Sequence, residues 1–284
     1  MVDVSAFHCD YENKWCPGCG NFPILEALKQ GLADQGLVPE DVLMISGIGQ
    51  AGKTPHFLRC NFFHGLHGRA LPLATGAYVA NCELPILVSM GDGDCYGEGG
   101  NHFLAAIRRN PDMTLLIHDN RVYGLTKGQA SPTSERGFVT KIQPKGVRSD
   151  PFNPAALALS QGAGFVARAY CGHKEQLAGL IGQAMDYRGL SVIDIMQVCV
   201  SFNTVNTYDW YKKRVYDINE QGHDTDDWNA AMDLAMAGGD RMATGLFYKK
   251  NRASFADRVP GLADSPLAAR RYDPAQVQAL LDQA

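Results

Sequence analysis

The sequence has 284 residues, 45% of them hydrophobic and 20% charged, which is enough for a sizeable core in one large α/β domain or two smaller ones. A net charge of −4 and a pI near 6.0 argue against nucleic acid or an anionic membrane as the main partner. No apolar run reaches transmembrane length, Met1-Val2-Asp3-Val4 opens no secretory signal, and eight scattered Cys point to a reducing cytoplasm rather than a disulfide scaffold.

The first feature in chain order is Trp15-Cys16-Pro17-Gly18-Cys19-Gly20. A thioredoxin-type redox pair needs a strand before it, and Asp10 to Lys14 is too polar for one. Zinc needs four ligands, and there is no second Cys-x-x-Cys pair. An iron–sulfur cluster can take its remaining thiolates from far along the chain. The motif alone leaves these readings open. Val42 to Ser46 is expected to be a strand, and Gly47-Ile48-Gly49-Gln50-Ala51-Gly52 after it fits a nicotinamide-cofactor glycine pattern. Two features reject that reading: Pro55 interrupts the following helix, and no acidic residue lies between Asp41 and Glu83 to hold a ribose hydroxyl. His64 and His67 stand three apart, but Gly65 and Gly68 disfavour a long helix there; Ala70 to Ala80 reads as a packed helix.

The central stretch begins with the apolar run Ile86 to Met90, a buried parallel strand, followed by Gly91-Asp92-Gly93-Asp94. Helical spacing of Phe103, Leu104 and Ile107 predicts a helix from Gly100 to Arg109, and Leu115-Leu116-Ile117 a second strand. The crossover makes these strands parallel, so both acid-bearing turns follow carboxyl ends, where ligands bind such sheets. Asp92 and Asn120 stand one crossover apart. An Asp carboxylate, an Asn carbonyl and a backbone carbonyl are hard oxygen donors that suit Mg²⁺ while phosphate oxygens complete its octahedron. Gly91 and Gly93 let the backbone close on a diphosphate. The bland alternative is a surface turn plus an ordinary loop Asn.

Arg136 to Asp150 reads as a mobile loop near the site, Phe165 to Arg168 as a strand, Gln176 to Tyr187 as a helix and Val192 to Met196 as a closing strand. Beyond Asn203 aromatic residues mix with charges. The expected division is residues 1–203 as the cofactor domain and 204–284 as helices and loops packing on the core or a partner, with a last helix starting at Asp273-Pro274.

At Gly91-Asp92-Gly93 and Asn120 the chain resembles the thiamine-diphosphate enzymes. Together with Trp15 to Asn21, Leu66-His67-Gly68-Arg69-Ala70, Gly100-Asn101-His102-Phe103 and Tyr123 to Thr133, it resembles the beta subunit of the 2-oxoacid:ferredoxin oxidoreductases, 2-oxoglutarate type. The resemblance implies a mostly parallel α/β sheet with helices on both faces. It implies coenzyme A-dependent oxidative decarboxylation of a 2-oxoacid, with one-electron transfer through a 4Fe-4S cluster to ferredoxin. Thiamine diphosphate would be held by Ile48, Gly49, Gln50, His67, Gly93, Asp94, Gly124 and Leu125, and Mg²⁺ by Asp92, Asn120 and Val122. Lys127 at the mouth would pair with the substrate carboxylate. Cys16, Cys19 and Cys199 match three cluster ligands; the fourth position carries Gln50 where the family has Cys, and Cys60 is the nearest spare thiol. Cys82, Cys95 and Cys171 read as small buried hydrophobes. The activating Glu and the coenzyme A site are expected from an alpha subunit, giving an α₂β₂ cytoplasmic enzyme. A non-redox thiamine-dependent decarboxylase or synthase subunit, or a pyruvate-type oxidoreductase, is the alternative.

Overall fold

The computed structural model describes residues 2–237, 239–271 and 273–283. Strands β1 (Leu43–Ser46), β2 (Asn61–His64), β3 (Ile86–Gly91) and β4 (Met113–Asp119) are followed by a short hairpin of β5 (Val122–Tyr123) and β6 (Gln129–Ala130). Then come β7 (Phe165–Tyr170), β8 (Leu190–Met196), β9 (Val215–Asp217) and β10 (Met242–Lys249). Eight strands form one sheet in the order β2-β1-β3-β4-β8-β7-β10-β9. All neighbouring pairs are parallel except β10 against β7.

Burial of both faces explains why the central strands are apolar throughout. Met44, Leu87, Leu116, Ala167 and Ile193 point to one side, where α1 (Asn21–Asp34) and α5 (Lys174–Met185) pack together. Their neighbours Ile45, Val88, Leu115, Val166 and Val192 point to the other. That side carries α2 (Ala70–Ala80), α3 (Gly100–Arg109), α4 (Pro154–Ser160) and α7 (Trp228–Met236). The short α6 (Tyr208–Lys212) and α8 (Phe255–Arg258) and a terminal α9 (Pro274–Leu281) complete the chain.

The β3–α3–β4 crossover, α2 and the strands at β1, β7 and β8 lie where the sequence puts them. The helix expected from Gln176 to Tyr187 is shifted two residues toward the amino end. One strand goes unread in the sequence, and the reading of the carboxyl-terminal region needs correction. Asn61 to His64 forms the edge strand β2, although all four residues are exposed. Val192 to Met196 does not close the sheet, and residues 204–284 are not only helices and loops: β9 and β10 extend the same sheet. Leu246 and Phe247 of β10 enter opposite faces of the core.

Because β1, β3, β4 and β8 run parallel in the main sheet, their carboxyl ends share one edge. The segments after Ser46, Gly91, Asp119 and Met196 therefore converge there, and they carry the site.

Candidate functional site

Asp92 directly follows β3, and the next six residues, Gly93 to Glu98, wind as a π-helical turn before α3. Glycine is required in this turn: a Cβ on Gly93 would lie 2.2 Å from the Tyr123 ring, and one on Gly97 2.3 Å from the Tyr123 hydroxyl. Tyr123 therefore lies against the turn, its hydroxyl donating to Glu98 Oε2 at 3.1 Å. Across the gap, Asn120 accepts from the Val122 N–H at 3.0 Å through its own Oδ1, fixing the start of the β5–β6 loop. Arg121 makes the bend with φ of 61° and extends its guanidinium to Glu135 at 2.5 Å.

Between these elements lies a cavity lined by all eleven residues expected at the cofactor and its metal: Ile48, Gly49, Gln50, His67, Asp92, Gly93, Asp94, Asn120, Val122, Gly124 and Leu125. Ala51, Tyr123 and Thr126 also line it and are not foreseen in the sequence. Lys127, also with a left-handed φ of 78°, sits exposed on the adjoining turn rather than in the lining.

Two buried carboxylates meet at the edge of this cavity. Asp92 is 1% exposed and Asp119 4%. Both face the Thr133 hydroxyl, which lies 2.6 Å from Asp92 Oδ2 and 2.7 Å from Asp119 Oδ1. One hydroxyl hydrogen serves only one carboxylate at a time. Burial, reinforced by the charge of Asp119, pushes the Asp92 carboxyl well above the usual range. A divalent cation beside Asp92 would reverse both effects, and the Asn120 amide and Val122 backbone supply neutral hard oxygens near it. Among the described residues no three His, Cys, Asp or Glu side chains form a ready-made metal group; the donors here are one carboxylate, one amide and one carbonyl.

Asp94 has a different task. Its Oδ1 accepts from His67 Nδ1 at 2.5 Å and from the Gly68 N–H at 2.7 Å, so it ties the 64–70 loop to the π-helical turn. Its Oδ2 is buried without a partner among the described residues. Burial raises its carboxyl above the ordinary value, against the opposing pull of the Gly68 N–H, His67 and the nearby Ile48 N–H. His67 also reaches Glu98 through Nε2 at 3.3 Å. In the lining, Gln50 Oε1 is a buried acceptor with no partner among the described residues, while Asp94 Oδ2 faces the Ile48 N–H without closing a regular hydrogen bond.

Cys16, Cys19 and Cys199 lie at the same sheet edge, although among the described residues no three His, Cys, Asp or Glu side chains form a metal-holding group. Gly20 lets the start of α1 lie against the segment after β8: a Cβ there would sit 2.7 Å from the Val198 nitrogen, and the Gly20 N–H donates to Val198 O at 2.9 Å. Ser201 Oγ donates to Cys16 Sγ at 3.1 Å and Gln197 Nε2 to Cys19 Sγ at 3.5 Å. Burial pushes the Cys19 thiol up to about 11, and the neighbouring Cys199 and Cys16 thiols add to the rise. The Trp15 indole donates to Gln50 O at 2.9 Å, joining this region to the cavity.

Cys60 does not join them. It precedes β2, on the amino edge of a parallel pair, whereas Gln50 follows β1 on the carboxyl edge. Its neighbour is Cys9, and burial pushes its thiol up to about 12. Parallel pairing thus separates two positions close in sequence. Cys95 and Cys171 are fully buried in the core and Cys82 is half-buried, its thiol donating to Leu262 O.

Known proteins resemble this chain in sequence and fold. The family described as "Thiamine pyrophosphate enzyme, C-terminal TPP binding domain" matches residues 46–195, and the carboxyl-terminal family of the pyruvate ferredoxin oxidoreductase beta subunit matches 199–264. The chain is 43% identical over 281 residues to a 2-oxoacid:ferredoxin oxidoreductase subunit beta of Sulfolobus sp, covering 93% of this chain and 90% of that one. It is 45% identical over 197 residues to the 2-oxoglutarate oxidoreductase subunit KorB of Mycobacterium tuberculosis, covering 69% and 53%. Among solved structures, a 2-oxoglutarate:ferredoxin oxidoreductase from Magnetococcus marinus with 2-oxoglutarate, coenzyme A and succinyl-CoA bound superposes with a TM-score of 0.92 at 36% identity. That match covers 98% of this chain and 96% of the other.

Proposed function

Because the chain belongs to the beta subunits of the 2-oxoacid:ferredoxin oxidoreductases, we propose that its cavity holds thiamine diphosphate through Mg²⁺ on Asp92, Asn120 and Val122. In this reading it serves coenzyme A-dependent oxidative decarboxylation of 2-oxoglutarate. The single observation that carries the cofactor assignment is the fully buried Asp92 carboxylate, held by Thr133, in a cavity shared with Asn120 and Val122. When bound, the cofactor supplies a nucleophilic carbon and an electron sink for loss of CO₂.

The chain's own residues do the rest. Gly93 makes room for the Tyr123 ring against the turn, and Tyr123, Leu125 and Thr126 cover the cavity and exclude water. Lys127, exposed on the adjoining turn, pairs with the distal carboxylate of the substrate. Cys16, Cys19 and Cys199 would hold an iron–sulfur cluster, which would supply one-electron transfer to ferredoxin. The activating Glu comes from an alpha subunit, in an α₂β₂ cytoplasmic assembly.

Gln50 in place of a fourth thiol, with Cys60 on the opposite edge, favours one second reading: a thiamine-dependent decarboxylase or synthase subunit without electron transfer. Copurification with the partner separates the two. Bound thiamine diphosphate, iron and sulfide, with 2-oxoglutarate- and coenzyme A-dependent reduction of a viologen dye, is the expected result. Cofactor without iron would select the second reading, and a protein that binds no thiamine diphosphate would end both.

A further inference from the structure

Gln50 is the one uncharged side chain in the cavity whose acceptor oxygen is buried with no partner among the described residues. Its backbone is already fixed: the Gln50 carbonyl accepts from the Trp15 indole at 2.9 Å and from the Lys53 N–H at 3.3 Å. The side chain runs toward the β5–β6 loop, its Cγ lying 4.0 Å from where a Cβ on Gly124 would stand. A buried amide oxygen left unpaired is costly, so its donor is expected from the ligand.

We infer that Gln50 Oε1 accepts a hydrogen bond from the exocyclic amine of the cofactor's aminopyrimidine ring. The inference rests on the thiamine diphosphate reading above and extends it to one atom. The ligand's chemistry narrows the choice. The diphosphate at neutral pH, the neutral ring nitrogens and the thiazolium sulfur carry no N–H or O–H, and a phosphate oxygen against Oε1 would set two acceptors face to face. The exocyclic amine is the cofactor's only donor. Gln50 thereby becomes a ring-orienting contact that faces the cofactor rather than iron.

A cycle between one side chain and one ligand group tests this, using the full chain copurified with its partner subunit. Wild type and Gln50→Met, which keeps length and removes both amide atoms, are titrated calorimetrically with thiamine diphosphate plus Mg²⁺ and with the analogue lacking the exocyclic amine. The expected result is that wild type binds the analogue roughly ten-fold more weakly than the cofactor, whereas Gln50→Met binds both alike. Equal losses on removing the amine from wild type and variant would overturn the inference, whatever the variant's affinity. If wild type fails to bind thiamine diphosphate at all, the functional reading itself falls, which is a distinguishable failure. Matching melting temperatures of the unliganded proteins show that the variant folds, and Gln50→Glu, which keeps an acceptor at that position, is expected to retain discrimination against the amine-free analogue.

Discussion

Thr133 shows how much one hydroxyl decides. Its oxygen stands 2.6 Å from Asp92 and 2.7 Å from Asp119, and its loop is pinned by Ser134, whose hydroxyl donates to Arg121 O at 2.6 Å. Orienting contacts behind a metal ligand commonly govern affinity by roughly 10–100-fold. Thr133→Val is therefore expected to weaken Mg²⁺-dependent thiamine diphosphate binding by about that factor, and Thr133→Ser to restore most of it, measured by titration of the cofactor-free protein. Equal affinities for Val and wild type would show that Asp92 needs no such support. Asp112 offers a separate test in pH. Burial pushes its carboxyl up to about 6, so the folded chain holds a proton that the unfolded chain has released. Its contribution is present below the ordinary carboxylate value and is lost as pH rises through about 6. Asp112→Asn is expected to flatten the fall in urea midpoint across that window; an unchanged slope would refute it. The site residues in contiguous motifs are legible in the sequence because each turn carries its own chemistry. Thr133 is not, because its partner lies 41 positions away and only the folded loop brings them together.

At the level of elements, legibility follows how local the cause is. The β3–α3–β4 unit declares itself through unbroken apolar strands and helical spacing between them. Strand β2 does not, because its four residues are all exposed and only pairing with β1 makes it a strand. In β10, Gly245 with φ of 119° and the register shift between Leu246 and Tyr248 interrupt the alternation that a sequence reader follows. The end of α3 illustrates a cap assembled from distant segments. Asn110 takes a left-handed φ of 54°, donates to the carbonyls of Arg252 and Ala253 and accepts from the Leu190 N–H at 2.9 Å. The same helix end is held by Arg252, which donates to the carbonyls of Ile107 and Arg108. Asn110 is fully buried, so its loss leaves three polar groups unpaired and puts a Cβ-bearing residue in a strained conformation without compensation. Asn110→Ala is expected to cost about 2–4 kcal/mol in chemical denaturation, and a change under about 1 kcal/mol would show that the three segments hold each other without it.

The whole molecule departs most from its sequence reading at the carboxyl-terminal third, where an attachment turns out to be part of the sheet. Removing everything after Asn203 would strip β10 from β7 and expose the outer edge of a strand that is buried on both faces. It would also take Tyr211 and Leu246 from one face of the core and Ile218, Ala231 and Phe247 from the other. At about 1.5–3 kcal/mol for each large buried side chain, the loss is on the order of 10 kcal/mol, as large as the net stability of an ordinary domain. Residues 1–203 alone are therefore expected to give no cooperative thermal transition and to bind a hydrophobic dye. The last turn and helix behave differently, since neither Leu267–Ala269 nor Pro274–Leu281 buries a single residue. Truncation after Pro266 is accordingly expected to leave the melting temperature within a few degrees of the full chain. A cooperative melt of residues 1–203, at a temperature near that of the full protein, would mean that β7 tolerates an open edge and that the eight-stranded sheet is two separable units.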